Sequence, residues 1–529
     1  MKALDRHLTQ LLFLTVLLAS SCLLAFSIAS VAHAETVPAS KKILLAYDSL
    51  DSVNNGEEKI SSLTRLLTSF NVEVTRLSID DYRSQQLQGF TGLVTMIQAP
   101  DLAIKNQDFL TDRDTFSGLK LHLGSDLPAS WQQQMEIQLK EITGERYTLF
   151  SASIKASEIG EQTVTLDVAS QLPKDAPDLG TLDFENQTKS YPFGILKNNV
   201  AYLPFFDSTG LGFLLSSQLL QKWLAEDSSL TANYSPILMF TGITPFSNLE
   251  LLEYLADKMY AAGVPFVISG TSVWENTDLK AMDNYTRALQ YIIARNGEFI
   301  LQTPETRGLS KDKQALKDIM STTIDELVQR NVYPISISAP AYWNQDGFYQ
   351  QTALTYSDSL VLLPNPKTYQ IKEATTISPV YKTTYYGLPA EKLQQVEWEN
   401  MNNHQFSTPT ALTYEFPETG KEVLAIEEKI SQLPVLFRRI NLTEHKVSTI
   451  MNKIEANQGV IKVNGKRRYT EAVPQDQHQS AKEDQLEGSL AGFFNVQDKI
   501  LTVIIIGVLF VLSIFFIVGY NLYRGKYRK

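Results

Sequence analysis

Between Tyr234 and Thr306 short apolar runs alternate with segments of helical spacing, and this alternation constrains the fold more than any other feature of the chain. Ile237 to Phe240, Val264 to Ile268 and Phe299 to Leu301 are apolar runs of strand length, whereas Leu249 to Tyr260 and Tyr285 to Ala294 repeat apolar residues at the period of a helix. Strands separated by helices pair in parallel, and the loops at the carboxyl ends of such strands are where an α/β fold keeps its chemistry. Here those loops read FTGITP and LQTPET, with no Asp, His or Cys. The stretch predicts an enzyme-like scaffold without the groups of an enzyme.

The same stretch resembles the opening half of the polysaccharide-deacetylase-like (β/α) barrel, and more closely a bacterial branch of it that begins with a flavodoxin-like domain. The resemblance covers Lys42 to His445. It implies two adjacent aspartates after the first barrel strand and a His-x-x-x-His motif after the third. One aspartate and both histidines would hold the metal, and the other aspartate would serve as base. Laid onto this sequence, the aspartate pair falls on Thr241 and Gly242 and the histidines on Gln302 and Thr306. A late catalytic histidine, implied in a Phe-x-His-Pro-like segment, falls on Thr408 of Phe406-Ser407-Thr408-Pro409. His404 lies four residues away, and one histidine without further ligands is a poor metal site. The expectation is a degenerate barrel with no metal and no cofactor.

Two mouth loops carry aromatic residues. Trp274 lies in the long loop SGTSVWENTDLKAMDNY after the second strand, and SAPAYWNQDGFYQQ supplies Tyr342, Trp343, Asp346, Phe348 and Tyr349. Aromatic faces beside a carboxylate suit sugar recognition and suit a protein interface equally well. Glu298 before the third strand and Glu305 after it are the carboxylates to inspect for glycoside hydrolysis. No G-x-S-x-G elbow is present.

Ahead of the barrel, Lys42 to Tyr47, Val72 to Arg76, Gly92 to Ile97 and Leu119 to His122 read as strands and Glu57 to Phe70 as a helix, an order that predicts a doubly wound α/β domain over 42–230. The turn after Tyr47, DSLDSVNNG, has neither a G-x-G-x-x-G nor a Walker pattern, so no nucleotide site is indicated. Polar and apolar residues alternate from Arg146 onward and predict antiparallel strands added to this domain. The barrel is expected over 234–450, with a connector and stalk over 451–498 and His445 exposed in a polar helix.

The chain ends in targeting features. Lys2 and Arg6 precede an apolar run that closes on Ala32-His33-Ala34, the pattern of a cleaved secretion signal over 1–34. Ile500 to Tyr520 is uncharged and apolar throughout and is followed by Arg524, Lys526, Arg528 and Lys529, which predicts a transmembrane helix with a basic cytoplasmic tail over 521–529. The expected localisation is the cell membrane, single-pass, with the large domain extracellular. A net charge of -11 argues against nucleic acid. The single cysteine, Cys22, falls inside the signal, so the mature chain has neither disulfides nor a thiol nucleophile.

Together these readings describe a membrane-anchored extracellular protein of pseudoenzyme type. Its expected partners are the membrane, through the C-terminal helix, and a surface polysaccharide or a polysaccharide-synthesis membrane protein. An active carbohydrate hydrolase or deacetylase with relocated carboxylates, and a structural member of a membrane assembly, stay open as alternatives.

Overall fold

A computed structural model of the chain describes residues 41–48, 56–99, 103–225, 232–273, 277–305, 312–400 and 403–468. The first half is built on β1 (Lys42–Tyr47), whose residues Ile43 to Ala46 are buried. A strand covered on both faces reads as a continuous apolar run, and KILLAY is one. It pairs in parallel with β2 (Glu73–Ser78) and β3 (Gly92–Ile97), after which β3 pairs with β4 (Leu119–Gly124). Around these strands lie α1 (Gly56–Ser69), α2 (Gln107–Thr115) and α3 (Ala129–Met135). The alternating segment then gives β5 (Leu139–Thr143), β6 (Arg146–Ser151), β7 (Ala156–Glu161), β8 (Thr165–Ala169), β9 (Leu179–Phe184), β10 (Tyr191–Lys197) and β11 (Val200–Leu203). β5 and β8 form a ribbon of their own, whereas β11 pairs in parallel with β4 and carries β10, β9, β6 and β7 beyond it as an antiparallel extension of the same sheet. Helix α4 (Gly210–Leu224) closes this half.

The second half is a barrel of seven parallel strands. In order around it run β12 (Ile237–Ile243), β13 (Phe266–Gly270), β14 (Gly297–Gln302), β15 (Ile337–Pro340), β16 (Ser359–Leu363), and then two strands named below, the last closing on β12. Three helices lie between these strands, α5 (Leu249–Ala261), α6 (Lys280–Ile293) and α7 (Lys313–Gln329), and α8 (Gly347–Thr352) follows β15. Asn248 caps α5, its side-chain oxygen accepting from Leu251 N at 3.1 Å, and Asp312 caps α7 in the same way. Gly263, at φ +68°, lets the chain turn out of α5, a left-handed conformation that a side chain would resist. The strand expected over Tyr333 to Ile337 begins only at Ile337, behind Asn331 at φ 58° and Pro334.

The remaining elements join the halves. After β16 the chain forms β17 (Ile377–Ser378), returns to the barrel as β18 (Thr383–Pro389), leaves it again as β19 (Glu397–Trp398), and completes it with β20 (Thr410–Glu415). β17 adds to the edge of β2 and β19 to the edge of β7, so these two segments from the second half cover both edges of the nine-stranded sheet of the first half and make it eleven-stranded. Unprotected edges invite pairing with other chains, and here both are occupied from within. Helix α1 is buried on nearly all sides, Ser61, Ser62, Thr64, Arg65 and Thr68 included, because it lies between its own sheet and β18. Arg65 holds the seam: its guanidinium donates to Gly387 O at 2.8 Å, Leu362 O at 3.3 Å and Tyr386 Oη at 2.9 Å, and lies 4.0 Å from the centre of the Tyr386 ring.

Helix α9 (Gly420–Ser431) follows the barrel. Val435 to Phe437, an expected barrel element, is irregular. The expected connector from 451 starts instead as part of a four-stranded antiparallel sheet of β21 (His445–Ser448), β22 (Lys453–Asn457), β23 (Val460–Val463) and β24 (Lys466–Arg468). His445 is fully buried on β21, not exposed on a helix; its Nδ1 lies 2.8 Å from Ser359 Oγ and its Nε2 2.9 Å from Ile440 O.

The expected membrane topology finds no support in the described residues. A bilayer span takes about 20 apolar residues. Among the described residues no helix is long and apolar enough to cross a membrane, and α7, with 17 residues, carries charge along its length. The expected signal over 1–34, the expected span at Ile500 to Tyr520 and the tail over 521–529 lie outside the described residues. Membrane anchoring, single-pass localisation and partnership with a membrane through a C-terminal helix are thus not supported by any helix among the described residues.

Candidate functional site

Where the resemblance implies a metal, the barrel holds a layer of neutral polar groups. Gln302 ends β14, and its amide oxygen accepts from Gly242 N at 3.2 Å and from Ser269 Oγ at 3.2 Å. Ser269 Oγ in turn lies 2.7 Å from Ser338 Oγ on β15. Gly242 sits at φ +81° in a bulge that shifts the pairing of β12 with β13, which turns its N–H toward Gln302. Thr241 Oγ1 donates to Tyr414 O at 3.4 Å. Thr306 lies outside the described residues. A zinc-type centre requires imidazole, thiolate or carboxylate donors, and amides and hydroxyls already engaged with one another do not fit one. Among the described residues no group of three or more His, Cys, Asp or Glu side chains converges to hold a metal.

Above this layer the strand ends enclose a cavity of about 870 Å³. Gln302, Thr303 and Glu305 enter it from β14, Tyr342 from the loop after β15, Tyr369 from the loop after β16, and Tyr414 and Glu415 from β20. Tyr369 and Tyr342 stack with their ring centres 4.7 Å apart, and Tyr369 donates its hydroxyl to Glu57 Oε1 at 2.6 Å. This hydroxyl bond brings the first turn of α1 against the cavity wall. Tyr414 is buried, and burial, with Glu391 adding to it, pushes its phenol up to about 12, so it stays protonated. Thr303 is 5% exposed, and its hydroxyl has no hydrogen-bond partner among the described residues. An unpaired buried hydroxyl costs free energy unless something completes it.

The aromatic patch expected as a ligand surface is mostly core. Trp343 is 1% exposed and stacks on Tyr349 at 4.2 Å, Tyr349 and Phe348 are buried, and Tyr342 is largely covered. Asp346, fully buried, caps α8 through Phe348 N at 2.8 Å and also accepts from the backbone N–H groups of Lys372 and Glu373. Its carboxylate is spent on the backbone and does not face a ligand. Trp274 lies outside the described residues.

Other candidates also fall away from the mouth. Thr408 precedes β20 at the opposite end of the barrel, where its hydroxyl lies 2.7 Å from Ser69 Oγ and bonds Ser69 O at the seam with α1. Glu298 begins β14 and accepts from Arg439 Nε at 3.2 Å and Ile440 N at 2.9 Å, a structural clamp whose carboxyl burial pushes upward despite these partners. His404 packs against Trp398 and Phe406, and burial lowers it to about 4. His122 is buried between Thr95 Oγ1 at 2.7 Å and Ser125 O at 2.6 Å, and burial lowers it to about 4 as well. Asp48, in the turn after β1, receives the backbone N–H groups of Gln98 and Ala99.

Of the residues singled out from sequence, the structure brings Thr241, Gln302, Glu305, Tyr342 and Trp343 to one cavity. Sequence reasoning missed Thr303, Tyr369, Tyr414 and Glu415. Position at a strand's carboxyl end was the signal that would have found Thr303, Tyr414 and Glu415, and β20 was legible. No family model matches the chain, and no curated protein matches it significantly.

Proposed function

We propose that the mouth of the barrel is a recognition groove for an extended, hydroxyl-rich ligand of oligosaccharide type, on a deacetylase-like scaffold whose metal chemistry has been lost, preceded by a flavodoxin-like domain. The observation that carries this reading is the cavity itself. It keeps the size and place of an active site, while the Gln302 amide, Ser269 and Ser338 satisfy one another where ligands would converge. The parallel strand order β2-β1-β3-β4-β11 supports the flavodoxin-like reading of the first half. Tyr369 and Tyr342 supply ring faces for apolar contact, and the Thr303 hydroxyl and the glutamates supply hydrogen-bonding edges.

The test is calorimetric titration of the purified protein with a panel of oligosaccharides, beside elemental analysis. At least one oligosaccharide should bind, Tyr369→Ala should weaken it by about threefold to tenfold, as expected for one aromatic contact, and zinc should be substoichiometric. Stoichiometric zinc lost on Gln302→Ala, or no saccharide binding at all, overturns the reading. A hydrolase with relocated carboxylates has one observation in its favour, Glu305 and Glu415 at strand ends of a single cavity. Turnover of a bound saccharide, abolished by Glu305→Gln or Glu415→Gln, would replace recognition with hydrolysis.

A further inference from the structure

We propose that this groove selects amine-bearing, cationic saccharide chains over neutral and acidic ones, an inference that rests on the recognition reading above. Among the described residues the cavity is lined by five glutamates, Glu305, Glu391, Glu415, Glu418 and Glu422, against one cation, Lys429. All five are exposed to the space they line.

Two of these acids have structural work. Glu391 pairs with Lys429 at 3.3 Å, which also uses the one cation that lines the cavity among the described residues. Glu422 accepts from Glu418 N at 2.9 Å while Thr419 accepts from Glu422 N at 3.3 Å, a reciprocal cap on α9. Glu305, Glu415 and Glu418 have no ion-pair partner among the described residues. Glu418 beside a helix start is ordinary, since acids favour that end of a helix dipole. Glu305 and Glu415 have no such reason: Glu305 lies in the loop just after β14 and Glu415 ends β20, and they meet only because the barrel closes.

The acids do not stand alone. Thr303, two residues before Glu305, lines the same cavity with a buried hydroxyl that lacks a partner among the described residues. The half-buried Tyr369 ring, backed by the stacked Tyr342, lines the cavity as well, and the face of a tyrosine attracts an ammonium as well as a sugar's C–H surface. A wall of carboxylates with low-dielectric sides concentrates cations and repels anions. A neutral chain uses the rings and Thr303; an amine-bearing chain uses these and the carboxylates too; a uronic acid chain meets like charge.

The experiment titrates the purified full-length protein with three probes of equal length, glucosamine, N-acetylglucosamine and galacturonic acid oligomers. The pH is held at about 6 for all three, where the sugar amines are protonated. The glucosamine oligomer should bind about tenfold or more tighter than its N-acetylated counterpart at low salt, the preference should shrink at high salt, and the galacturonic acid oligomer should bind worst. In the Glu305→Gln, Glu415→Gln double variant the amine preference should fall toward unity. In a control bearing Glu161→Gln and Asp183→Asn, exposed on β7 and β9, it should persist. Equal binding of the glucosamine and N-acetylglucosamine oligomers overturns the charge selectivity and leaves the groove. Equal loss in the control overturns it as general surface charge. Binding of none of the three overturns selectivity and counts against the groove as well.

Discussion

Along the seam between α1 and the barrel, Arg65 is buried with three hydrogen bonds to Gly387 O, Leu362 O and the Tyr386 hydroxyl, whereas at the barrel mouth Glu305 and Glu415 are exposed with no ion pair among the described residues. The seam spends its polar groups on the fold, because burying a charge or a hydroxyl without partners is costly. Thr408, Ser69, Ser61 and Asn365 follow the same rule there, as Asn365 Nδ2 donates to Ser61 Oγ at 2.9 Å. The mouth leaves its polar groups to solvent or ligand. The difference separates residues that maintain the structure from residues available for function better than residue type does, since Trp343 and Asp346 look functional by type and are structural by contact.

Stability measurements can break that division. The largest effect is expected from Trp343→Ala, which removes a buried indole stacked on Tyr349 and should destabilise the protein by about 3 to 5 kcal/mol in denaturant unfolding. A loss below about 1 kcal/mol would return Trp343 to the ligand surface.

Acid is the next probe. His122 and His445 are fully buried, and burial lowers both from 6.5 to about 4. The folded state binds these protons less readily than the unfolded chain, so their contribution is complete above about pH 6.5 and is lost as pH falls toward about 4. Between about pH 7 and pH 5 each should remove about 2 kcal/mol. Burial raises Glu298 instead, which favours the folded state in acid and offsets part of the loss. A melting temperature that falls by clearly less over this interval in His122→Gln than in the parent would assign that share of the effect to His122; one that holds in the parent would refute it.

Arg65→Ala should cost about 3 kcal/mol, because the carbonyls of Leu362 and Gly387 and the Tyr386 hydroxyl lose a charged donor inside the seam. Arg65→Lys should recover only part of this, since one ammonium cannot span the three acceptors. Full recovery would mean that charge, not the guanidinium fork, holds the two halves.

Gln302→Ala is the smallest change and bears on the mouth. Gly242 is exposed, so its N–H can turn to water, and the loss should be about 1 kcal/mol. A cost like that of Arg65→Ala would make the polar layer part of the core and weaken the separation drawn here.

Local pattern by itself determined a good deal of this protein. Apolar runs such as KILLAY and ILMF, set between segments of helical period, dictated parallel strands and intervening helices. Asn248 announced the start of α5. The strand Thr383–Pro389 was not legible: TTYYGLP lacks an aliphatic run, and its two tyrosines are buried by distant segments, Tyr386 by α1 with Arg65 outside the barrel wall and Tyr385 by Thr443 and His445 on the other face. His445, read as exposed, became a core residue when β21 docked against Ser359. Tyr369, Glu305 and Glu415 became one site only through closure of the barrel, which brings the ends of distant strands to a single cavity. Periodicity records that a face must be covered, because apolar surface leaves water wherever it can. Which distant segment covers it, and which polar groups are left facing a cavity, is decided only when the sheet closes and its edges are taken.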